Sequence, residues 1–196
     1  MKSSVTNQIK ADYFRYYGKV PRQLSFLNFL YKAFRNHCFG YMFFFRLASN
    51  GNFFARVIHR HLSLKYGIQI PLGTDIGEGF YIGHGVGIII NSTAKIGKNC
   101  NISQFTTIGS NKGQAATIGD NVYIGPGVSI VENVLIGNAA TVGAGSVVVK
   151  NVPENATVAG NPARILNFNN PARFIKNLWG GGRMNSIIKL RALVIA

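Results

Sequence analysis

His84 is the residue of this chain best suited to move a proton. It is the sole histidine beyond residue 66, and it stands between Gly83 and Gly85. Neither neighbour carries a side chain that would screen the imidazole, a group whose ordinary titration lies nearer neutrality than that of other side chains. Taking the proton of an attacking hydroxyl is the chemistry such a group serves. Covalent catalysis is not signalled, because no Ser or Cys stands in a nucleophile elbow. Cys38 and Cys100 are too few for a secreted disulfide framework and lack metal-ligand spacing, so they read as free buried thiols of a cytoplasmic protein that needs no metal.

The element that must position His84 is a repeat. Ile or Val occupies positions 70, 76, 82, 88, 96, 102, 108, 118, 124, 130, 136, 142, 148 and 158, eleven of the fourteen being Ile. The step is six residues, lengthened to eight between 88 and 96 and to ten between 108 and 118 and between 148 and 158. A lone strand repeats every two residues and a helix every 3.6, so a step of six marks a solenoid of short flat segments, each followed by a corner. Three such segments close one triangular coil. Counting the Ile/Val as position one, position four is Gly or Asn in most units, with Phe105 and Ala139 the exceptions, which predicts a left-handed corner there. His84 falls at position three and projects outward. One coil further on, allowing for the extra pair, Gln104 takes the same place and becomes its expected neighbour.

The flanks differ from this prism. Residues 1–66 hold eleven Lys/Arg and one acid, residues 67–168 hold five of each, and residues 169–196 hold five Lys/Arg and no acid. The expected organisation is a basic helical region over 1–66, the solenoid over 67–166 and a basic extension over 167–196. Breaks near Gly18–Pro21 and Asn50–Asn52 divide the helical region. Leu24, Leu27, Leu30, Tyr31 and Phe34, and Phe54, Val57, Ile58 and His61, recur at helical spacing and read as packing stripes. No apolar run approaches the ~20 residues of a membrane span; the longest, Phe39 to Phe45, ends at Arg46. The basic, aromatic-rich arms suggest peripheral contact with the inner face of a membrane. No motif supports a nucleic-acid partner. Trp179 and the apolar end from Ile187 to Ile195 read as packing against the solenoid or a neighbouring subunit.

Arg46-Leu47-Ala48, Ile82-Gly83-His84-Gly85-Val86-Gly87, Val142-Gly143-Ala144-Gly145-Ser146-Val147-Val148 and Val158-Ala159-Gly160-Asn161-Pro162-Ala163-Arg164-Ile165 carry a resemblance over about residues 39–166. The sequence resembles the hexapeptide-repeat acyltransferases, nearest the serine-acetyltransferase-like branch that includes bacterial polysaccharide O-acetyltransferases. The resemblance implies a mainly β fold, a left-handed parallel β-helix, with acetyl-CoA as co-substrate and a homotrimer as the working form. It places the general base on His84 and a glutamine on Gln104, and it puts Gln69 where the family carries the aspartate that orients the base. The pantetheine groove it implies runs past Gly109, Ser110, Gly125, Pro126 and Ala144, with Lys150 and Arg164 toward the coenzyme's phosphates.

Departures from the family pattern bear on the acceptor. The loop Gly109–Thr117 matches the one that carries Arg and His for the serine carboxylate, and those places hold Gln114 and Ala115. The family's Gly-Glu-Thr-Ala run is Asn91-Ser92-Thr93-Ala94 here. The expectation drawn from these absences is acetyl transfer to a sugar hydroxyl of a bacterial surface polysaccharide or its precursor. Serine O-acetylation is the alternative, and a non-catalytic membrane-associated scaffold the third reading. Carbonic-anhydrase-like relatives need three zinc-binding histidines, and fused nucleotidyltransferases need a large N-terminal domain, so neither fits.

Overall fold

In the computed structural model, which describes residues 4–20 and 26–180, four helices precede a three-sided parallel β-solenoid. Helix α1 (Val5–Tyr17) starts at Ser4, whose hydroxyl accepts from the Asn7 N–H, and stops at left-handed Gly18. Helix α2 spans Phe26–Arg35. Helix α3 (His37–Ser49) is capped by the Asn36 side chain, and α4 (Phe53–Tyr66) by Asn52 with Gly67 at its end. The breaks read from the sequence are therefore caps.

Each solenoid face is a ladder of two- or three-residue strands. Asp75–Ile76, Lys95–Ile96, Thr117–Ile118 and Leu135–Ile136 stack on the first face. Tyr81–Ile82, Asn101–Ile102, Tyr123–Ile124, Thr141–Val142 and Thr157–Ala159 stack on the second, and Arg164–Asn167 closes it as an antiparallel edge. Ile89–Ile90, Thr107–Gly109, Ser129–Val131 and Val147–Val148 form the third. One column of Ile and Val per face fills the prism, each buried side chain stabilising it by roughly 1.5–3 kcal/mol. Glycines let successive coils approach: a Cβ on Gly77 would lie 2.6 Å from the Gly97 carbonyl.

The register corrects the sequence reading at three points. Ile90, not Ile88, is in phase with Ile108 on the third face, so the extra pair is inserted at the corner between Ile82 and Ile90, where His84 lies. Val152 bridges to Ile136 and supplies a further step that the run of Ile/Val at six had passed over. Left-handed backbone recurs at Gly79, Asn99, Asn121, Ala139 and Asn155 on one edge and at Gly87, Phe105, Gly127 and Gly145 on the next. Gly85 and Asn91 are not left-handed. The third edge is irregular, and this is where the longest insertion falls.

The prism's open start is closed by α3. Tyr41, Met42 and Phe45 join the solenoid core, while Phe39, Phe43 and Phe44 pack into a second core among the helices. Arg46 fastens the two bodies. It pairs with buried Asp12 at 2.9 Å and donates to the Ile76 and Gly77 carbonyls at 2.7 Å each, while Asp12 accepts from the Phe80 N–H. The expected packing stripes of α2 and α4 are corrected in part: Leu30 and Ile58 pack against the helical core, but Leu27 and Phe34 are each 71% exposed, and Tyr31, Phe54 and Val57 also face outward. Phe29, Ala33, Ala55 and His59 are the buried positions instead, because α2 and α4 cover α3 with their opposite faces. Trp179 packs on Phe14 and bonds Asn99, as its packing role required. Leu24 and Ile187 to Ile195 lie outside the described residues. Among the described residues no helix is long and apolar enough to cross a membrane.

A candidate active site at the widened corner

The corner Gly83–Ile88 is held on several sides. Tyr16 of α1 places its hydroxyl on the free edge of the first strand of the second face, accepting from the Ile82 N–H at 2.9 Å and donating to its carbonyl at 3.0 Å. The Cys38 sulfur accepts from the Gly85 N–H at 3.2 Å, and the Tyr66 carbonyl accepts from the Gly87 N–H at 3.0 Å. Burial pushes the Cys38 thiol up, so it stays protonated and uncharged at neutral pH. A Cβ on left-handed Gly87 would sit 2.7 Å from the Phe105 ring, which leaves glycine as the residue that fits. Every clamp acts on the backbone. His84 itself is exposed at the tip of the turn.

His37, at the start of α3, stacks on Tyr66 with ring centroids 4.7 Å apart and sets its Nε2 3.4 Å from the Cys38 sulfur. Its pKa is drawn down by burial first and then by the nearby His84 and Lys65. The surroundings of His84 thus include a second imidazole in place of an acid. His37, Cys38 and Tyr16 carry no signal of this role in the sequence, where they stand within the helical region and read as packing.

His84 opens onto a cleft of about 580 Å³ whose walls include Arg15, Tyr81, Asn101, Gln104 and Pro126. Gln104 shares the cleft as the coil count required, and its side-chain carbonyl oxygen is buried without a hydrogen-bond partner. Gln69 is not brought into it. It pairs through its backbone with Ile88 and Ile90 on the third face, and its side chain is exposed. Asp75, the acid nearest Gln69 in the chain, and Glu78, the acid nearest His84, both line a separate cleft of about 550 Å³ beside Thr74.

The residues expected along the coenzyme groove divide between two edges of the prism. Pro126 and Ala144 continue the column above His84 and Gln104, with Gly125 so close to the next coil that a Cβ would lie 2.8 Å from the Ala144 nitrogen. Arg164 is exposed at the start of the closing strand of the second face. Gly109, which ends its strand, and Ser110 and Lys150, which follow theirs, lie instead at the far edge of the third face. There the Ser110 hydroxyl donates to Glu132 at 2.7 Å, and that bond with the Asn111 and Lys112 N–H groups holds the Glu132 carboxyl below its usual range. In the same insertion Gln114 turns its amide onto the Thr93 carbonyl, and Ala115 is buried.

Known proteins match this architecture. The family of bacterial transferase hexapeptide (six repeats) matches residues 115–150. A serine acetyltransferase of Synechococcus elongatus is 40% identical over 111 residues, covering 54% of this chain and 46% of that protein. The soybean serine acetyltransferase solved in complex with serine is 32% identical, with a TM-score of 0.65 over 83% of this chain and 70% of its own. The serine acetyltransferase of Brucella abortus strain S19 superposes with a TM-score of 0.68 at 29% identity, over 83% of this chain and 68% of its own. The chain belongs to the hexapeptide-repeat acyltransferases. It spans about half the length of the curated relatives it matches.

These matches overturn the expectation of a polysaccharide acceptor. The relatives and the superposable structures are serine acetyltransferases, and they side with the alternative drawn from the sequence. The expectation had rested on Gln114 and Ala115 standing where the family holds the serine carboxylate, and on Asn91-Ser92-Thr93-Ala94 standing in place of its Gly-Glu-Thr-Ala run. The absence of those groups does not specify a different substrate.

Proposed function

We propose that the protein is an acetyl-CoA-dependent O-acetyltransferase that acts on serine. The observation that carries this reading is the outward imidazole of His84 in a cleft with Gln104, on a fold whose relatives are serine acetyltransferases. A Brucella relative was solved with coenzyme A, which supports acetyl-CoA as the donor. Neutral His84 accepts the proton of the serine hydroxyl as that oxygen attacks the thioester carbonyl. The tetrahedral adduct then collapses, the C–S bond breaks, and the leaving sulfur takes the proton from the imidazolium. A thioester is reactive enough that this proton relay and the alignment of both substrates suffice. The unpartnered Gln104 carbonyl oxygen lies in the same cleft and is assigned to hydrogen-bond the acceptor there. Gln69 takes no part in this scheme.

The coenzyme site completes itself in a homotrimer. Gly125, Pro126, Ala144 and Arg164 of one protomer would face Gly109, Ser110 and Lys150 of its neighbour, which explains why one chain carries the set on two edges. A cytoplasmic location belongs to the same proposal, supported by the buried free thiols Cys38 and Cys100. The test is incubation with acetyl-CoA and L-serine, followed by mass spectrometry of the product. O-acetylserine formed together with free coenzyme A is the expected result, and coenzyme A release that does not respond to serine would rule the acceptor out.

A further inference from the structure

We propose that Arg15 is the cation of a carboxylate subsite in the His84 cleft and holds the acid end of the acceptor; this rests on the serine reading above. Arg15 comes from the last turn of α1 and is 4% exposed, yet it lines the same cleft as His84 and Gln104. Its guanidinium donates to the Asn101 side-chain carbonyl and to the Lys176 backbone carbonyl, both neutral. Its Nε has no partner. Among the described residues no carboxylate pairs with it, because Asp12, one turn earlier on α1, is engaged by Arg46. Burial draws Arg15 down to about 10, so it remains charged at neutral pH.

A buried cation satisfied by neutral acceptors alone is a costly arrangement, and one that an incoming anion relieves. Guanidinium has five donors in a planar fork that matches a carboxylate, and only part of that capacity is used here. The Tyr81 ring lies 5.9 Å from the guanidinium carbon and walls the same space. The geometry also suits a small hydroxy acid. Asn101 precedes Gln104 by three residues, and Tyr81 precedes His84 by three, a chain distance of at most about 10 Å. Two hydrogen bonds of about 2.9 Å, with the short span between a serine carboxylate and its hydroxyl, cover that distance. Positions 114 and 115 supply no competing cation, since Gln114 is folded onto Thr93 and Ala115 is buried.

Calorimetric titration of the full chain with L-serine and with serinamide tests the subsite without requiring turnover. The wild type is expected to bind serine at least about tenfold more tightly than serinamide, and R15M to lose about 10- to 100-fold for serine alone. R15K keeps the charge without the fork and should fall between. Should R15M fail to fold, the wild type labelled with ¹⁵N-arginine still decides: serine, not serinamide, must shift an Nε–H resonance that is missing from R15K. Equal affinity of the wild type for both ligands, or a serine preference that survives R15K and R15M, overturns the proposal. Serine binding that depends on Arg15 without O-acetylserine formation upholds the subsite and removes the acetyltransferase reading. Acetylation of serine by R15K with an unchanged KM upholds that reading and removes the subsite.

Discussion

Two interruptions of one repeat have opposite characters. The corner Gly83–Ile88 gains two residues and is gripped by groups from outside the solenoid, the Tyr16 hydroxyl, the Cys38 thiol and the Tyr66 carbonyl. The loop between Ile108 and Ile118 gains four and is held by its own coil and the adjoining ones, through Thr93, Gln114 and Glu132. The first presents an imidazole to a cleft; the second folds its polar groups onto its neighbours. An insertion becomes a site where another body fixes its backbone and leaves a side chain free. The helical region matters to the chemistry for this reason, and the contrast can be broken from either side.

The largest effect is expected at the joint between the two bodies. Arg46→Met leaves Asp12 as an unpaired buried charge and should cost about 3–5 kcal/mol of stability, read by chemical denaturation. An unchanged midpoint would mean that the helices do not brace the first coil through this pair. Next comes His59, buried between the rings of Tyr41 and Phe45, with a folded pKa of about 4 against an ordinary 6.5. The unfolded chain binds this proton more readily, so the contribution is complete above about pH 6.5 and declines as pH falls toward 4. His59→Leu should flatten the acid side of the Tm–pH curve. A curve of unchanged slope between those limits would contradict the assignment.

Cys38→Ala removes the acceptor for the Gly85 N–H and should lower kcat about 3- to 10-fold, with a stability loss of about 1 kcal/mol. Restoration of kcat by Cys38→Ser would support the hydrogen bond as the cause, and equal losses in both variants would argue for packing alone. The smallest effect is expected in the other interruption. Gln114→Ala should change stability by no more than about 0.5 kcal/mol and leave the KM for serine within twofold. A large rise in that KM would move acceptor binding to this loop and dissolve the contrast.

The solenoid was legible because its core uses one Ile or Val per face, and a periodic core prints its period in the sequence. The phase at the first widened corner was not, since Ile88 and Ile90 are both apolar and both buried, and only strand pairing distinguishes them. His84 and Gln104 could be placed together by counting a coil. Tyr16, Cys38 and Arg15 could not, because they reach the corner or the cleft wall beside it across 45 to 86 residues of chain, and no local spacing encodes such contacts. The outward stripes of α2 and α4 misled for a related reason. Helical periodicity marks an apolar face without saying that the face is covered.

His84, held by this braced corner, is the group proposed to remove the acceptor proton. This role is tested most directly by single-turnover acetyl transfer from acetyl-CoA to L-serine in His84→Ala beside the wild type, with Tm measured on both. A loss of about 10²- to 10⁴-fold in rate at an unchanged Tm is expected. Transfer by the variant at the wild-type rate would contradict that role.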